Sequence, residues 1–183
     1  MLSEHIEPFD NVFLLTPRRF RDDRGYFCET WHQVNFEKTI GRSVEFVQDC
    51  HSLSRQSNTL RGLHAQKEPN AQEKLVTVYS GAIWDFIVDA RPESPTLGKW
   101  AKAMLSEENG RQLFIPAGFL HGFVTLHENT KIHYKIAGRY SVEDAVTVNC
   151  FDTALGLDLG SGPFIQSQKD LCGISWQDFL AFL

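Results

Sequence analysis

Between Leu75 and Val148 apolar and polar residues alternate in short runs, and a period of two is the mark of strands with one buried face. The runs Leu75–Tyr79, Ala82–Val88, Trp100–Leu105, Arg111–Ile115, His121–Leu126, Lys131–Ala137 and Ala145–Val148 each read as a strand. Ser80-Gly81, Ser94-Pro95-Thr96 and Pro116–Gly118 supply turns between them. The first third of the chain is less regular. Val12–Leu15 reads as a short strand closed by Thr16-Pro17, Arg18–Gly25 as a turn rich in arginine and aspartate, and Tyr26–Trp31 and Val44–Val47 as strands. Ser52–Thr59 is polar and turn-like. Weak helical periodicity over Gln33–Ile40 stops at Gly41, and a second helix is predicted around Trp176–Leu183. Many short strands separated by turn residues predict an all-β antiparallel sandwich or barrel with a few short helices, wide enough to hold a ligand.

Length and charge narrow the function. At 183 residues, positions 1–183 form one domain large enough for a real core. A net charge of -5 with no basic block argues against nucleic acid as a partner. No apolar run is long enough to span a membrane, and Glu4, Glu7 and Asp10 leave no room for a secretory signal at the start. The four cysteines, Cys28, Cys50, Cys150 and Cys172, are widely spaced and form no C-x-x-C pair. They suit neither a zinc site nor a disulfide framework, and reduced thiols in the cytoplasm account for them.

The chemistry concentrates in Leu60–Lys74, which reads L-R-G-L-H-A-Q-K-E-P-N-A-Q-E-K. As a strand it places Gly62, His64 and Gln66 on one face and Leu63 and Ala65 on the other. Arg61 has the wrong parity to join His64, and a bulge at Gly62 would bring it round. Further on, His121 shares the parity of Phe119 and Phe123, Tyr134 that of Ile132 and Ile136, and Lys74 that of Val76 and Val78. Each alone has a plain structural reading: a bonded core histidine, a core tyrosine, a lysine at a strand end with its charge outside. Two histidines, a lysine and a tyrosine on the inward faces of one small barrel instead give a cavity with a base, an acid and a cation.

The run I-P-A-G-F-L-H at Ile115–His121 matches the P-x-G-x-x-H turn of cupins, the jelly-roll barrels, whereas the usual H-x-H metal motif is broken to His64-Ala65-Gln66. The segments F-R-D-D-R-G-Y-F-C-E, F-V-Q-D-C-H-S, L-R-G-L-H-A-Q, A-Q-E-K-L-V, Arg91–Trp100, I-P-A-G-F-L-H-G-F, Tyr134-Lys135 and S-Q-K-D follow one another from about Asn11 to Asp170. In this order they resemble the nucleotide-sugar 3,5-epimerases of the cupin superfamily, typified by dTDP-4-dehydrorhamnose 3,5-epimerase. The resemblance implies a cupin-type double-stranded β-helix, a homodimer with strands exchanged between subunits, and a reaction that needs no metal or other cofactor. The substrate it implies is a nucleoside-diphospho-4-keto-6-deoxyhexose inverted at C3, C5 or both. In that reading His64 is the base, Tyr134 the acid, Asp170 the partner that orients His64, and Lys74 the cation beside the developing oxyanion. His121 helps hold the sugar, Arg24 and Arg61 hold the diphosphate, and Glu29, Gln48 and Lys169 contact substrate. Without the resemblance Lys169 reads as a solvated lysine and Asp170 as a helix-capping or surface carboxylate.

Three positions depart from the family pattern: Cys50 replaces an asparagine, Ala65 a large aromatic, and Ala145 a glutamate, with Glu143 and Asp144 just before it. They bear on the nucleotide and sugar, so GDP- or CDP-linked substrates stay open beside dTDP. Two other classes also stay open. One is a metal-dependent cupin using His64, Gln66 or Glu73, and His121. The other is a non-catalytic sugar-binding cupin, which has no need of an acid and a base.

Overall fold

The structure, a computed structural model, describes residues 1–182. Thirteen strands and three short helices follow one another among the described residues. The strands are β1 (Leu2–Ile6), β2 (Phe9–Thr16), β3 (Arg19–Asp22), β4 (Gly25–Cys28), β5 (Phe46–Ser54), β6 (Leu60–Gln66), β7 (Glu73–Ser80), β8 (Ala82–Asp89), β9 (Trp100–Ser106), β10 (Gln112–Ile115), β11 (Phe119–Thr125), β12 (Thr130–Ala137) and β13 (Ala145–Thr147). The helices are α1 (Gln33–Ile40), α2 (Gln168–Leu171) and α3 (Trp176–Leu180). Two antiparallel sheets carry the fold, ordered β1-β2-β10-β7-β12-β5 and β13-β6-β11-β8-β9, with β3–β4 as a separate hairpin. This is the cupin jelly roll that the alternating pattern and the P-x-G-x-x-H turn predict.

The inward faces interdigitate between the sheets. Val76 and Val78 of β7 and Ile132 of β12 meet Ile83 and Ile87 of β8 and Phe119 and Phe123 of β11, all buried. The outer face of the six-stranded sheet is covered by α1, whose Phe36 packs with Leu75 and Phe114. The C-terminal segment covers the other sheet, laying Trp176 and Phe179 against Leu63, Phe86 and Leu120. Each sheet therefore buries both faces, which explains why β10 and β11 are buried along their whole length.

The departures from the predicted elements have local causes. β1 has a polar, exposed sequence with no apolar alternation, and pairing with β2 alone makes it a strand. The arginine-rich stretch is not a plain turn but the hairpin β3–β4, in which Phe20 pairs with Phe27 and the Arg19 guanidinium stacks 4.4 Å from the Tyr26 ring. That hairpin ends at Cys28, short of Trp31, which instead packs on Phe36 and Phe46. β5 runs on to Ser54, into the stretch that reads as a turn, because β12 pairs with it as far as Ser54, and of its polar residues Ser52 lines a cavity. α3 stops at Leu180, and Leu183, the last residue of the predicted helix, lies outside the described residues.

Candidate active site

The polar inward residues converge on one cavity of about 300 Å³ between the two sheets, near the lower end of small-molecule sites. Arg61, His64, Lys74, His121, Tyr134 and Lys169 all line it. The predicted bulge is what admits Arg61. Opposite β11 the register slips, so that His64 pairs with His121 but Arg61 with Phe123. Gly62 makes the slip feasible: its φ is +115°, and a Cβ there would sit 2.6 Å from the Gly122 Cα. Arg61 is then anchored by donating to Ser54 Oγ at 3.3 Å and to the Leu53 carbonyl at 3.2 Å.

His64 is half-buried, and its Nε2 lies 2.5 Å from Asp170 Oδ1. That leaves Nδ1 as the ring nitrogen free to take a proton. Burial pushes the imidazole below its ordinary pKa, and Asp170 offsets this only in part, so the ring is neutral at pH 7. Asp170 is buried and does two jobs. Its Oδ1 faces His64, while its Oδ2 accepts from Ser167 Oγ at 2.8 Å and its backbone N–H donates back to that oxygen at 3.2 Å. Asp170 thus belongs to the turn capped by Ser167 and also faces His64, and the S-Q-K-D turn of α2 fixes its carboxylate there.

Tyr134 comes from the opposite sheet. Its hydroxyl pairs with Ser52 Oγ at 3.1 Å, and burial pushes its pKa up to about 12 despite that bond, so it keeps its proton. Lys74, on β7, makes no ion pair or hydrogen bond among the described residues, and burial brings its pKa down to about 8. His121 is buried, with Nε2 3.0 Å from Asp85 Oδ2.

Three predicted contacts do not reach this cavity within the chain. Arg24 sits at the tip of the β3–β4 hairpin, its side chain 89% exposed and paired with Asp22 at 2.6 Å. Glu29 is exposed beyond the hairpin and accepts from Asn35 Nδ2 at 3.4 Å. Gln48 is exposed on β5, the edge strand, on the same face as Cys50 and Ser52 but outside the cavity lining. Gln66 lines the cavity but is spent on backbone: its amide donates to the Asn70 and Arg139 carbonyls and its oxygen accepts from the Ser141 N–H. Glu73 is paired with Arg42. Among the described residues no group of three or more histidine, cysteine or acidic side chains is placed to hold an ion.

The three departures cluster here. Cys50 is the cross-strand partner of Tyr134, and Ala65 and Ala145 both line the cavity. Four site residues escaped the sequence reading. Ser52 and Ser167 gave no signal as small polar residues in polar stretches. Tyr140 lies exposed at the cavity rim after a Gly-Arg turn. Asp85 did give one, as a carboxylate at the inward parity of Ile83 and Ile87.

A jelly roll with a neutral imidazole on one wall of its cavity and a protonated phenol on the other has the parts of a cupin-type acid–base epimerase. Residues 7–178 match the dTDP-4-dehydrorhamnose 3,5-epimerase family, and this chain belongs to it. The dTDP-4-dehydrorhamnose 3,5-epimerase of Salmonella typhimurium is 49% identical over 148 residues, covering 81% of this chain and 80% of that protein. The Bacillus anthracis enzyme, crystallised with TDP and PPi bound, matches with a TM-score of 0.87 at 41% identity, over 92% of this chain and 97% of that one. A Legionella pneumophila epimerase in complex with dTDP-4-keto-L-rhamnose matches with a TM-score of 0.88 at 36% identity, over 93% and 90%.

Proposed function

We propose that this protein inverts C3 and C5 of dTDP-4-dehydro-6-deoxyglucose to give dTDP-4-dehydrorhamnose. The observation that carries the reading is that His64 and Tyr134 stand on opposite sheets across one cavity. The 4-keto group acidifies the protons on both neighbouring carbons. His64 Nδ1 removes one, the electron pair moves into the carbonyl, and the enolate oxygen is held by the Lys74 ammonium. Tyr134 then delivers a proton to the carbon from the other face, which inverts the centre, and solvent restores both groups. His121 and Lys169 hold the sugar and Arg61 the diphosphate, for which a guanidinium is suited.

A cavity of about 300 Å³ takes the sugar but not the nucleotide. Beside it β5 is an open sheet edge, and the β3–β4 hairpin exposes Phe27, Tyr26 and Phe20. We infer a homodimer in which the partner's hairpin covers this edge and so brings Arg24 and Glu29 to the diphosphate and nucleotide. A cytoplasmic location fits a nucleotide-sugar substrate and four free cysteines. No helix of the described residues is long and apolar enough to cross a membrane.

Incubation with dTDP-, GDP- and CDP-4-keto-6-deoxyglucose in D₂O tests the reading. Deuterium should enter C3 and C5 of the dTDP sugar with inversion, and exhaustive EDTA treatment should leave the rate unchanged. Faster turnover of another nucleotide would move the substrate. Loss on chelation, restored by one divalent ion, would revive the metal-dependent cupin. Binding without exchange would leave a sugar-binding protein. Light scattering at a mass of one chain, 20.9 kDa, would remove the dimer.

A further inference from the structure

Asp85 stands where an alternating strand should carry a hydrocarbon. Its neighbours at the same parity on β8, Ile83 and Ile87, are in the core between the sheets, and its own side chain is 0% exposed. One N–H serves both its oxygens. His121 Nε2 lies 2.9 Å from Oδ1 and 3.0 Å from Oδ2 and is directed at Oδ2, so Oδ1 has no hydrogen bond of its own. A buried carboxylate this poorly satisfied does not stabilise a fold; an apolar residue of similar volume does better. Its reason must lie in what surrounds it.

Across the gap, on β7, the Lys74 ammonium is equally short of partners. Burial pushes the Asp85 carboxyl up and the Lys74 ammonium down; His121 and then Lys74 favour the charged carboxylate against this, and Asp85 favours the charged ammonium. The remaining groups that act on or feel Asp85 are His121 from β11 and Tyr134 from β12, and Arg61 and His64 from β6 line the cavity beyond them. Tyr134 keeps its proton and is neutral, His64 is neutral at pH 7, and Arg61 is tied to the end of β5. The other carboxylate of the site, Asp170, is taken up by His64 and Ser167. Asp85 is left as the charge that balances Lys74. It does not itself line the cavity, so it acts through neighbours that do.

We propose that Asp85 is a positioning residue for the reaction: its buried carboxylate fixes the His121 ring and is the counter-charge that keeps the Lys74 ammonium available to the enolate oxygen. The proposal rests on the reading of Lys74 as the group that meets that oxygen. With Lys74 titrating at about 8, its charge is held by a narrow margin at the pH where the enzyme works.

The test is Asp85→Asn, read in two ways. In the first, without substrate, Lys74 is followed by NMR of protein labelled with ¹³Cε,¹⁵Nζ-lysine, its signal assigned by loss in Lys74→Arg. Removing an opposite charge at close range should lower the Lys74 titration by about one pH unit. In the second, the alkaline limb of kcat for solvent proton exchange should move down by the same amount, with the acid limb in place. A merely structural role would depress kcat at every pH and move neither the limb nor the lysine signal, and that result would overturn the proposal. A shifted lysine titration with an unshifted alkaline limb would keep the electrostatic link and overturn the enolate role of Lys74. The wild-type protein gives a check that needs no variant: the Asp85 carboxyl carbon must show the ¹³C shift of an ionised carboxylate at pH 7, and a protonated group there would refute the counter-charge.

Discussion

Two histidines sit directly opposite each other on β6 and β11, and each has its own aspartate. The two pairs are nonetheless built to different ends. His121 and Asp85 come from adjacent strands of one sheet and are sealed together, with 6% and 0% of their side chains exposed. His64 is 38% exposed, and its aspartate is brought in from α2, a single helical turn 106 residues away in sequence. The sealed pair has its geometry dictated by the sheet. The open pair has one ring nitrogen held and the other left to the cavity, and its aspartate is set by a capping turn rather than by the barrel. A base must exchange protons with substrate and solvent, so it belongs to the open pair. A group that shapes the field of the site need not touch anything that moves, so it belongs to the sealed one.

The largest difference between the pairs should appear in proton exchange. His64→Ala should lower deuterium incorporation from D₂O by roughly 10²–10⁴-fold, the usual contribution of a positioned base, with substrate binding near normal. His121→Asn should raise KM but keep exchange within about 10-fold, well short of that loss. Equal losses in the two variants would erase the distinction. The acid is separable in the same assay. Tyr134→Phe keeps the ring and its packing and deletes the donor, so exchange through His64 should continue while inverted product falls or inversion is confined to one centre. Fully inverted product at the wild-type rate would return Tyr134 to the role of a core residue.

The sequence shows the open pair better than the sealed one. His64 stands out because it is polar on a strand that ends beside Lys74, and the Gly62 bulge needed for Arg61 is legible as a glycine inside a strand. Asp170 could be paired with His64 only by resemblance, since no local pattern links positions so far apart. Asp85 is hidden because A-I-W-D-F-I-V-D is mostly apolar and reads as a buried strand, which masks the acid at its inward position. The β3–β4 hairpin and the second half of β5 were hidden for a different reason. Arginine-rich and serine-rich strands lack apolar alternation, and these two face a cavity or open solvent rather than the core. Arg24 lies in the β3–β4 hairpin, Glu29 just beyond it and Gln48 in the first half of β5, all outside the cavity lining of the single chain.

Stability should reverse the order of the pairs. His121→Ala removes the hydrogen bond of a carboxylate that water cannot reach, and breaking a buried pair from one side costs about 3 kcal/mol. His64→Ala leaves Asp170 bonded to Ser167 and open to water through the vacated space, so about 1 kcal/mol is expected. Urea unfolding at pH 7.5 measures both. A larger loss in His64→Ala than in His121→Ala would mean that the open pair is a structural clamp after all.

The smallest effect, and the one that reads the open pair most directly, is a movement along the pH axis. His64 must be neutral to act as a base, so kcat/KM should fall as pH drops through its folded pKa. Burial places that pKa below the ordinary 6.5, and the acid limb should therefore lie below 6.5. Asp170 opposes burial by favouring the imidazolium. Asp170→Asn should then shift the acid limb to still lower pH, while the plateau rate falls because the ring has lost the carboxylate that orients it and stabilises its protonated form after the transfer. The same depression acts on folding. With the folded pKa below the unfolded one, the wild-type protein loses stability from this group as pH falls from 6.5 through the folded value, and the Asn variant should extend that loss to lower pH. An acid limb that moves upward in Asp170→Asn would show that Asp170 does not favour the charged ring, and the pair would have to be read as a hydrogen bond to neutral histidine alone.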